Sequence, residues 1–316
     1  MLRSISLVCL LSILLTACAP VPPPANAGML PPTITHVASV ASSPALTSTP
    51  VSVTVTPSLT LVQPSPTTSP TASPPACQMQ GGRLERTSLP DRRLHLPMEV
   101  IVYLPPCYDQ EIYRRYPVLY LLHGQNYTAE QWVDLGIPAQ ADALMGSGEI
   151  PPFLIVMPHD RLWVDPPDTP FDEVFLEVLL PWVDQTYRTQ AQRNFRAVGG
   201  LSRGGAWAIH FGLHDWAQFG AFAGHSAPVF WSDAPFIDDW LAAIPSADMP
   251  QIYLDIGVKD YLRDSNDWFE AQLNAHTVVH EWHLYSGYHE EAYWQAHLAE
   301  YLRWYGGLWQ AAQPEP

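Results

Sequence analysis

An α/β fold, built as a mostly parallel sheet with helices on both faces, is predicted by three features of the sequence. Beyond residue 98, short apolar β-branched runs alternate with longer amphipathic ones. One of the longer runs, residues 171–187, carries the period of an α-helix, and a glycine-flanked serine at Gly200-Leu201-Ser202-Arg203-Gly204 sits where a short run passes into a long one. A chain that alternates strand and helix crosses back over its sheet between strands, which makes neighbours parallel and buries both faces.

The N-terminal region reads differently. Met1, Leu2 and Arg3 precede an uncharged apolar stretch from Ile5 to Leu15 that ends in Leu15-Thr16-Ala17-Cys18. The stretch is too short to cross a bilayer and has the layout of an export signal. Its last four residues resemble the lipobox of bacterial lipoproteins, so residues 1–17 are expected to be removed and Cys18 to carry the lipid. The chain would then be extracytoplasmic and anchored to the cell membrane through that lipid alone. An ordinary secretory signal, giving a freely secreted chain, is the alternative. From Ser4 to Gly82 there is no Asp, Glu, Lys or Arg, and residues 18–76 are dominated by Pro, Ser, Thr, Ala and Val. Such a segment buries too little apolar surface to offset its ordering entropy and reads as a disordered stalk.

All 31 acidic residues lie from Arg83 onward, among 15 basic residues in the chain, for a net charge of −16. An acidic surface repels phosphate, which excludes nucleic acid and anionic lipid as expected partners. Residues 77–311 suffice for one domain with a large core, followed by a short tail at 312–316. Of the four cysteines, Cys9 falls in the signal and Cys18 in the lipobox. Cys77 and Cys107 remain, either bridged, as an oxidising compartment favours, or as two separate thiols.

Within the domain the expected strands are 99–104, 118–122, 153–157, 195–198, 219–223, 252–256 and 278–285. In the helix at 171–187, Phe171, Val174, Phe175, Val178, Leu179, Trp182 and Val183 fall on one face, and Pro181 predicts a kink or break. A second helix is expected at 205–213. Between the fourth of these strands and that helix, the G-x-S-x-G glycines allow the tight strand-to-helix turn that pushes a serine hydroxyl out at the carboxyl edge of a sheet.

A serine hydroxyl needs a histidine base, itself oriented by a carboxylate, to act as a nucleophile at neutral pH. Downstream of Ser202, the run 252–256 is followed by Gly257-Val258-Lys259-Asp260, and the run 278–285 by Ser286-Gly287-Tyr288-His289. Both place their polar residue in a loop at the same edge, so Ser202, Asp260 and His289 form the candidate triad, in the order that an α/β-hydrolase fold uses. The backbone amides of Arg203 and Gln125 are the candidate oxyanion hole, the second after His123-Gly124, where the glycine lets the loop approach closely.

These segments carry a resemblance. Val102-Tyr103-Leu104-Pro105, the run from Tyr116 through Leu122-His123-Gly124, Gly200-Leu201-Ser202-Arg203-Gly204-Gly205, and Gly287-Tyr288-His289 followed by Trp294 resemble the esterase D or putative esterase family over residues 84–305. That family includes feruloyl and acetylxylan esterases, S-formylglutathione hydrolases, enterochelin esterases and mycolyltransferases. The resemblance implies an α/β-hydrolase fold, an acyl-serine mechanism with no cofactor, Ser202 as nucleophile, Asp260 as acid and His289 as base. Tyr288 stands where relatives often have a second glycine, which narrows the loop's freedom.

Other residues point less far. His280, Glu281 and His283 alternate along a strand and cannot converge on one ion, so no metal is expected. Most tryptophans, including Trp207, Trp231 and Trp294, are expected in the core. His123, Gly124 and Trp163 are the candidate lining of a substrate pocket. The expected reaction is hydrolysis of a carboxylic ester, on a small molecule or a carbohydrate or polyphenol. An acyltransferase of the same chemistry and a surface binding module that has lost catalysis are the alternatives.

Overall fold

The computed structural model describes residues 77–161 and 164–310. The expected signal, Cys18, the stalk, Trp163 and the tail lie outside them. In chain order the elements are β1 (Arg83–Leu89), β2 (Met98–Leu104), β3 (Val118–Leu122), α1 (Gln131–Leu135), α2 (Ile137–Gly146), β4 (Leu154–Pro158), α3 (Phe171–Val174), α4 (Leu180–Thr186), β5 (Arg196–Leu201), α5 (Arg203–Leu213), β6 (Ala221–His225), α6 (Ile237–Ala243), β7 (Gln251–Gly257), α7 (Arg263–Ala275), β8 (Glu281–Tyr285) and α8 (Glu291–Gln310).

The eight strands form one sheet in the order β1-β2-β4-β3-β5-β6-β7-β8. From β4 to β8 every pairing is parallel, while β1 and β2 add an antiparallel edge. The central strand β3 shows how both faces are filled: Val118, Tyr120 and Leu122 join Phe171, Phe175, Trp207 and Phe211 on one side, and Leu119 and Leu121 join Trp132, Leu298, Tyr301 and Trp309 on the other. All five residues of β3 are buried. Its side chains still alternate with period two, so a continuous apolar run serves two cores at once.

The departures from the sequence reading have local causes. β1 is absent from the expected strands because Arg83-Leu84-Glu85-Arg86-Thr87-Ser88-Leu89 is an edge strand with only Leu89 buried, and its charges hide its alternation. β5 runs on to Leu201, since Gly199 and Gly200 extend it, Gly199 leaving bare backbone for Tyr305 to pack on. The helix at 171–187 neither breaks nor stays regular: the five residues Phe175–Leu179 widen to a π turn between α3 and α4. Pro181 offers no amide and its ring crowds the carbonyl four residues back, and a π turn gives that carbonyl room. Cys77 and Cys107 are bridged, with Cα atoms 5.0 Å apart, which closes the choice the sequence leaves open.

Candidate active site

The site is made by three strand ends on the carboxyl edge of the sheet. β5 ends at Leu201 and α5 begins at Arg203, so Ser202 alone makes the connection. Its backbone sits at φ 53°, ψ −122°, a conformation that costs an L-residue on the order of 1–3 kcal/mol and persists only where its surroundings over-determine it. Here they do. The Ser202 amide donates to the His225 carbonyl at the end of β6 (2.9 Å), and the Ser202 carbonyl accepts from Ala206 (3.0 Å). The flanking glycines are needed for space: a Cβ on Gly200 would stand 2.3 Å from the Gly204 carbonyl carbon, and one on Gly204 would stand 2.2 Å from the Leu122 oxygen.

β7 ends at Gly257, and a turn closed by the Asp260 amide on the Gly257 carbonyl (3.0 Å) delivers Asp260. The Asp260 carboxylate is fully buried and accepts from the Leu262 amide (2.8 Å) and from His289 Nδ1, at 2.9 Å to Oδ2 and 3.1 Å to Oδ1. The other ring nitrogen, Nε2, lies 2.9 Å from Ser202 Oγ. With Nδ1–H held by a carboxylate, Nε2 carries the lone pair and accepts from the serine hydroxyl. The rings of Tyr261 and Trp294 flank the imidazole at 4.6 and 5.0 Å between centroids.

Both other aspartates near β7 are accounted for elsewhere. Asp255 lies within the strand, fully buried, and accepts from His225 Nδ1 (2.6 Å), Tyr293 Oη (2.6 Å) and Tyr301 Oη (2.9 Å). Asp264 is exposed in the first turn of α7. Sequence reasoning does not find the His225–Asp255 pair, whose partners come from β6, β7 and α8 and share no local pattern.

The Arg203 amide opens α5, where the first N–H groups have no intrahelical acceptor. In the facing loop the Gly124 amide donates to Gln131 Oε1 (2.8 Å), which leaves the Gln125 amide as the next donor along. A Cβ on Gly124 would come within 2.8 Å of Leu201 Cδ1 and 3.6 Å of Ser202 Cβ, so this loop abuts the turn that holds Ser202.

His123, a candidate for the pocket lining, is held by both of its ring nitrogens. It is buried, its Nε2 accepts from the Asp160 amide (3.0 Å) and its Nδ1–H donates to the Gly124 carbonyl (2.8 Å). Burial holds its pKa down at about 4, so the ring is neutral and works as a brace between two loops. Asp160, which sequence reasoning passes over in a polar loop, accepts through Oδ2 from Arg203 Nε (3.1 Å) and Trp207 Nε1 (2.9 Å). The Arg203 guanidinium also reaches Asp165 Oδ1 (2.8 Å) and the Val164 carbonyl (2.7 Å), strapping the loop after β4 to the start of α5. Trp207 and Trp294 are in the core as expected, whereas Trp231 is 88% exposed.

His280, Glu281 and His283 do not converge: His283 pairs with Glu281 (3.4 Å) while His280 faces Glu270 (3.9 Å). The expectation that alternation along the strand separates them matches this placement.

Residues 92–305 match the family model described as putative esterase. The chain belongs to the putative esterase family. A curated family relative, an esterase of Mycobacterium tuberculosis, is 30% identical over 174 residues, covering 52% of this chain and 36% of the relative. An endo-1,4-beta-xylanase/feruloyl esterase of Xylanibacter ruminicola is 34% identical over 119 residues, 33% of this chain and 16% of the relative. The chain therefore spans at most little more than a third of the length of these curated relatives. A solved ferulic acid esterase aligns at a TM-score of 0.65 and 25% identity, over 72% of this chain and 98% of that one. With the sheet order and the strand-turn-helix at Ser202, the fold is that of the α/β-hydrolases.

Proposed function

We propose that this protein is a serine esterase with Ser202 as nucleophile, His289 as base and Asp260 as the carboxylate that orients the imidazole. The observation that carries the reading is the continuous relay from Ser202 Oγ to His289 Nε2 (2.9 Å) and from His289 Nδ1 to Asp260 Oδ2 (2.9 Å). In the first half-reaction Ser202 Oγ attacks the ester carbonyl as His289 takes its proton. The tetrahedral oxyanion is held by the Arg203 and Gln125 amides, and the same proton passes to the departing alkoxide, leaving an acyl-serine. Water then enters, gives its proton to His289 and displaces Ser202, which recovers that proton as the acid leaves. The buried charge of Asp260 stabilises the imidazolium in both halves and fixes the tautomer that begins each.

For the substrate, we propose aromatic acyl esters attached to sugars or other large alcohols. Support comes from the feruloyl esterase names among the relatives and from Tyr127, Trp231, Tyr261 and Tyr288, large apolar side chains exposed on segments at this edge of the sheet. Aromatic rings left in water at the sheet edge that carries the triad, Tyr261 among them against His289, suit stacking against a ring-bearing ligand. Purified protein assayed on p-nitrophenyl acetate, butyrate and octanoate and on methyl ferulate tests both statements. Turnover of methyl ferulate and the short esters is expected. Turnover of the octanoate alone overturns the substrate, and no turnover of any ester by the folded protein overturns the enzyme. The relay also argues against a binding module that has lost catalysis, since such a module has no use for a buried carboxylate behind its histidine.

A further inference from the structure

The far end of α5 carries a second cluster of titratable groups, about 12 Å along the helix from Ser202. His210 lies in the last turn and His214 caps the helix with its amide bonded to the His210 carbonyl, so the two imidazoles share one face. One donor atom from each of His210, His214 and Asp215 lies within 4.8 Å of the other two.

Three observations show what the cluster is fitted to hold. His210 is 4% exposed, and its Nδ1–H donates to the buried Asp233 carboxylate at 2.9 Å. Its other nitrogen, Nε2, is buried with no hydrogen-bond partner among the described residues. A buried ring nitrogen left unpaired is costly, and few such atoms are tolerated in native structures without an ion or water to meet them. On His214 it is Nδ1 that lies beside Asp215, 3.0 Å from its Oδ2, close enough for both atoms to reach one ion. Finally, Asp172 at the start of α3 has a buried Oδ1 with no hydrogen-bond partner among the described residues. Asp233 beside His210 and Asp215 beside His214 leave both imidazoles next to carboxylates.

We propose that His210, His214 and Asp215 bind a divalent transition-metal cation, zinc being the best match, with Asp233 orienting His210. An imidazole whose one N–H is fixed by a carboxylate and whose other nitrogen is bare is the usual posture of a metal-bound histidine. Two ring nitrogens with one carboxylate oxygen suit zinc and its neighbours, whereas magnesium and calcium prefer oxygen throughout. The cation takes no part in the ester chemistry. It would neutralise the surplus negative charge and fix the end of α5. The two histidines are four residues apart, a spacing legible in the sequence, but Asp233 reaches them only through the fold.

The test uses the full chain, stripped of metal by a chelator and titrated with zinc chloride in a calorimeter. The same titration is run on His214→Ala, which removes a half-exposed side chain, on Asp215→Asn as a second variant, and on His289→Ala to detect zinc at the triad histidine. One zinc per chain is expected for the unaltered protein and for His289→Ala, with affinity at least about tenfold weaker in His214→Ala and reduced in Asp215→Asn. Zinc should also raise the unfolding temperature of the unaltered protein, and magnesium at the same concentration should not. No zinc uptake, uptake by both cluster variants as tight as by the unaltered protein, or uptake lost in His289→Ala overturns the proposal.

Discussion

Asp255, Asp260 and Asp264 lie within ten residues of one another, and three different surroundings give them three different tasks. Asp260 meets His289 Nδ1, Asp255 holds His225 and two tyrosines in the core, and Asp264 faces solvent in a first helical turn. Asp260→Asn keeps the shape but stabilises the wrong imidazole tautomer, so kcat should fall on the order of 10³ to 10⁴-fold. Asp264→Asn should leave kcat unchanged. Asp255→Asn removes the buried charge that three donors share, and should lower stability by on the order of 3 kcal/mol while the folded fraction keeps its turnover. Side-by-side kcat values on p-nitrophenyl acetate and unfolding temperatures separate the three; a crippled Asp264→Asn with a normal Asp260→Asn would reverse the assignment. The triad candidates are legible in the sequence because each follows a strand and falls in a loop at one edge. The roles of His123, Asp160 and His225 are not, because each is defined by a partner at least 30 residues away.

The element that sets the site is the join between β5 and α5, and its demands are steric before they are chemical. With a Cβ only 2.2 Å from the Leu122 oxygen, Gly204→Ala has to push β3 and α5 apart, and should cost about 3 kcal/mol and most of the activity. Gly307 gives the contrast, lying in α8 where an added methyl group would meet nothing within 4 Å, so Gly307→Ala should stabilise by about 0.5–1 kcal/mol and leave turnover alone. Denaturant unfolding of the pair checks both signs, and equal effects would mean that helix propensity, not packing at the turn, dominates. Element types are legible wherever the apolar period is strong, as in β3 and α5. They are not where the signal is shared with something else: β1 is charged for its life at the sheet edge, and the π turn before Pro181 keeps a helical pattern that no period distinguishes from an α-helix.

For the whole molecule, charge and compartment belong together. All 31 acidic residues follow residue 82, and Arg3 is the one Asp, Glu, Lys or Arg before it, a composition that suits a neutral segment joined to an acidic domain. We therefore propose that Cys18 carries a lipid and that the domain works outside the cytoplasm, where the Cys77–Cys107 bridge is stable. Cys18→Ala should move the protein from the membrane fraction to the soluble one with its activity on soluble esters intact. Persistence in carbonate-washed membranes would rule the lipid anchor out. The central claim concerns Ser202 itself, and a fluorophosphonate probe addresses it directly, because it reacts only with a serine made nucleophilic by its neighbours. Intact-mass and peptide analysis of the labelled protein should show a single adduct, on Ser202, absent in Ser202→Ala and formed far more slowly in Asp260→Asn. A folded, unaltered protein that takes up no probe, or takes it up on another residue, would contradict the account.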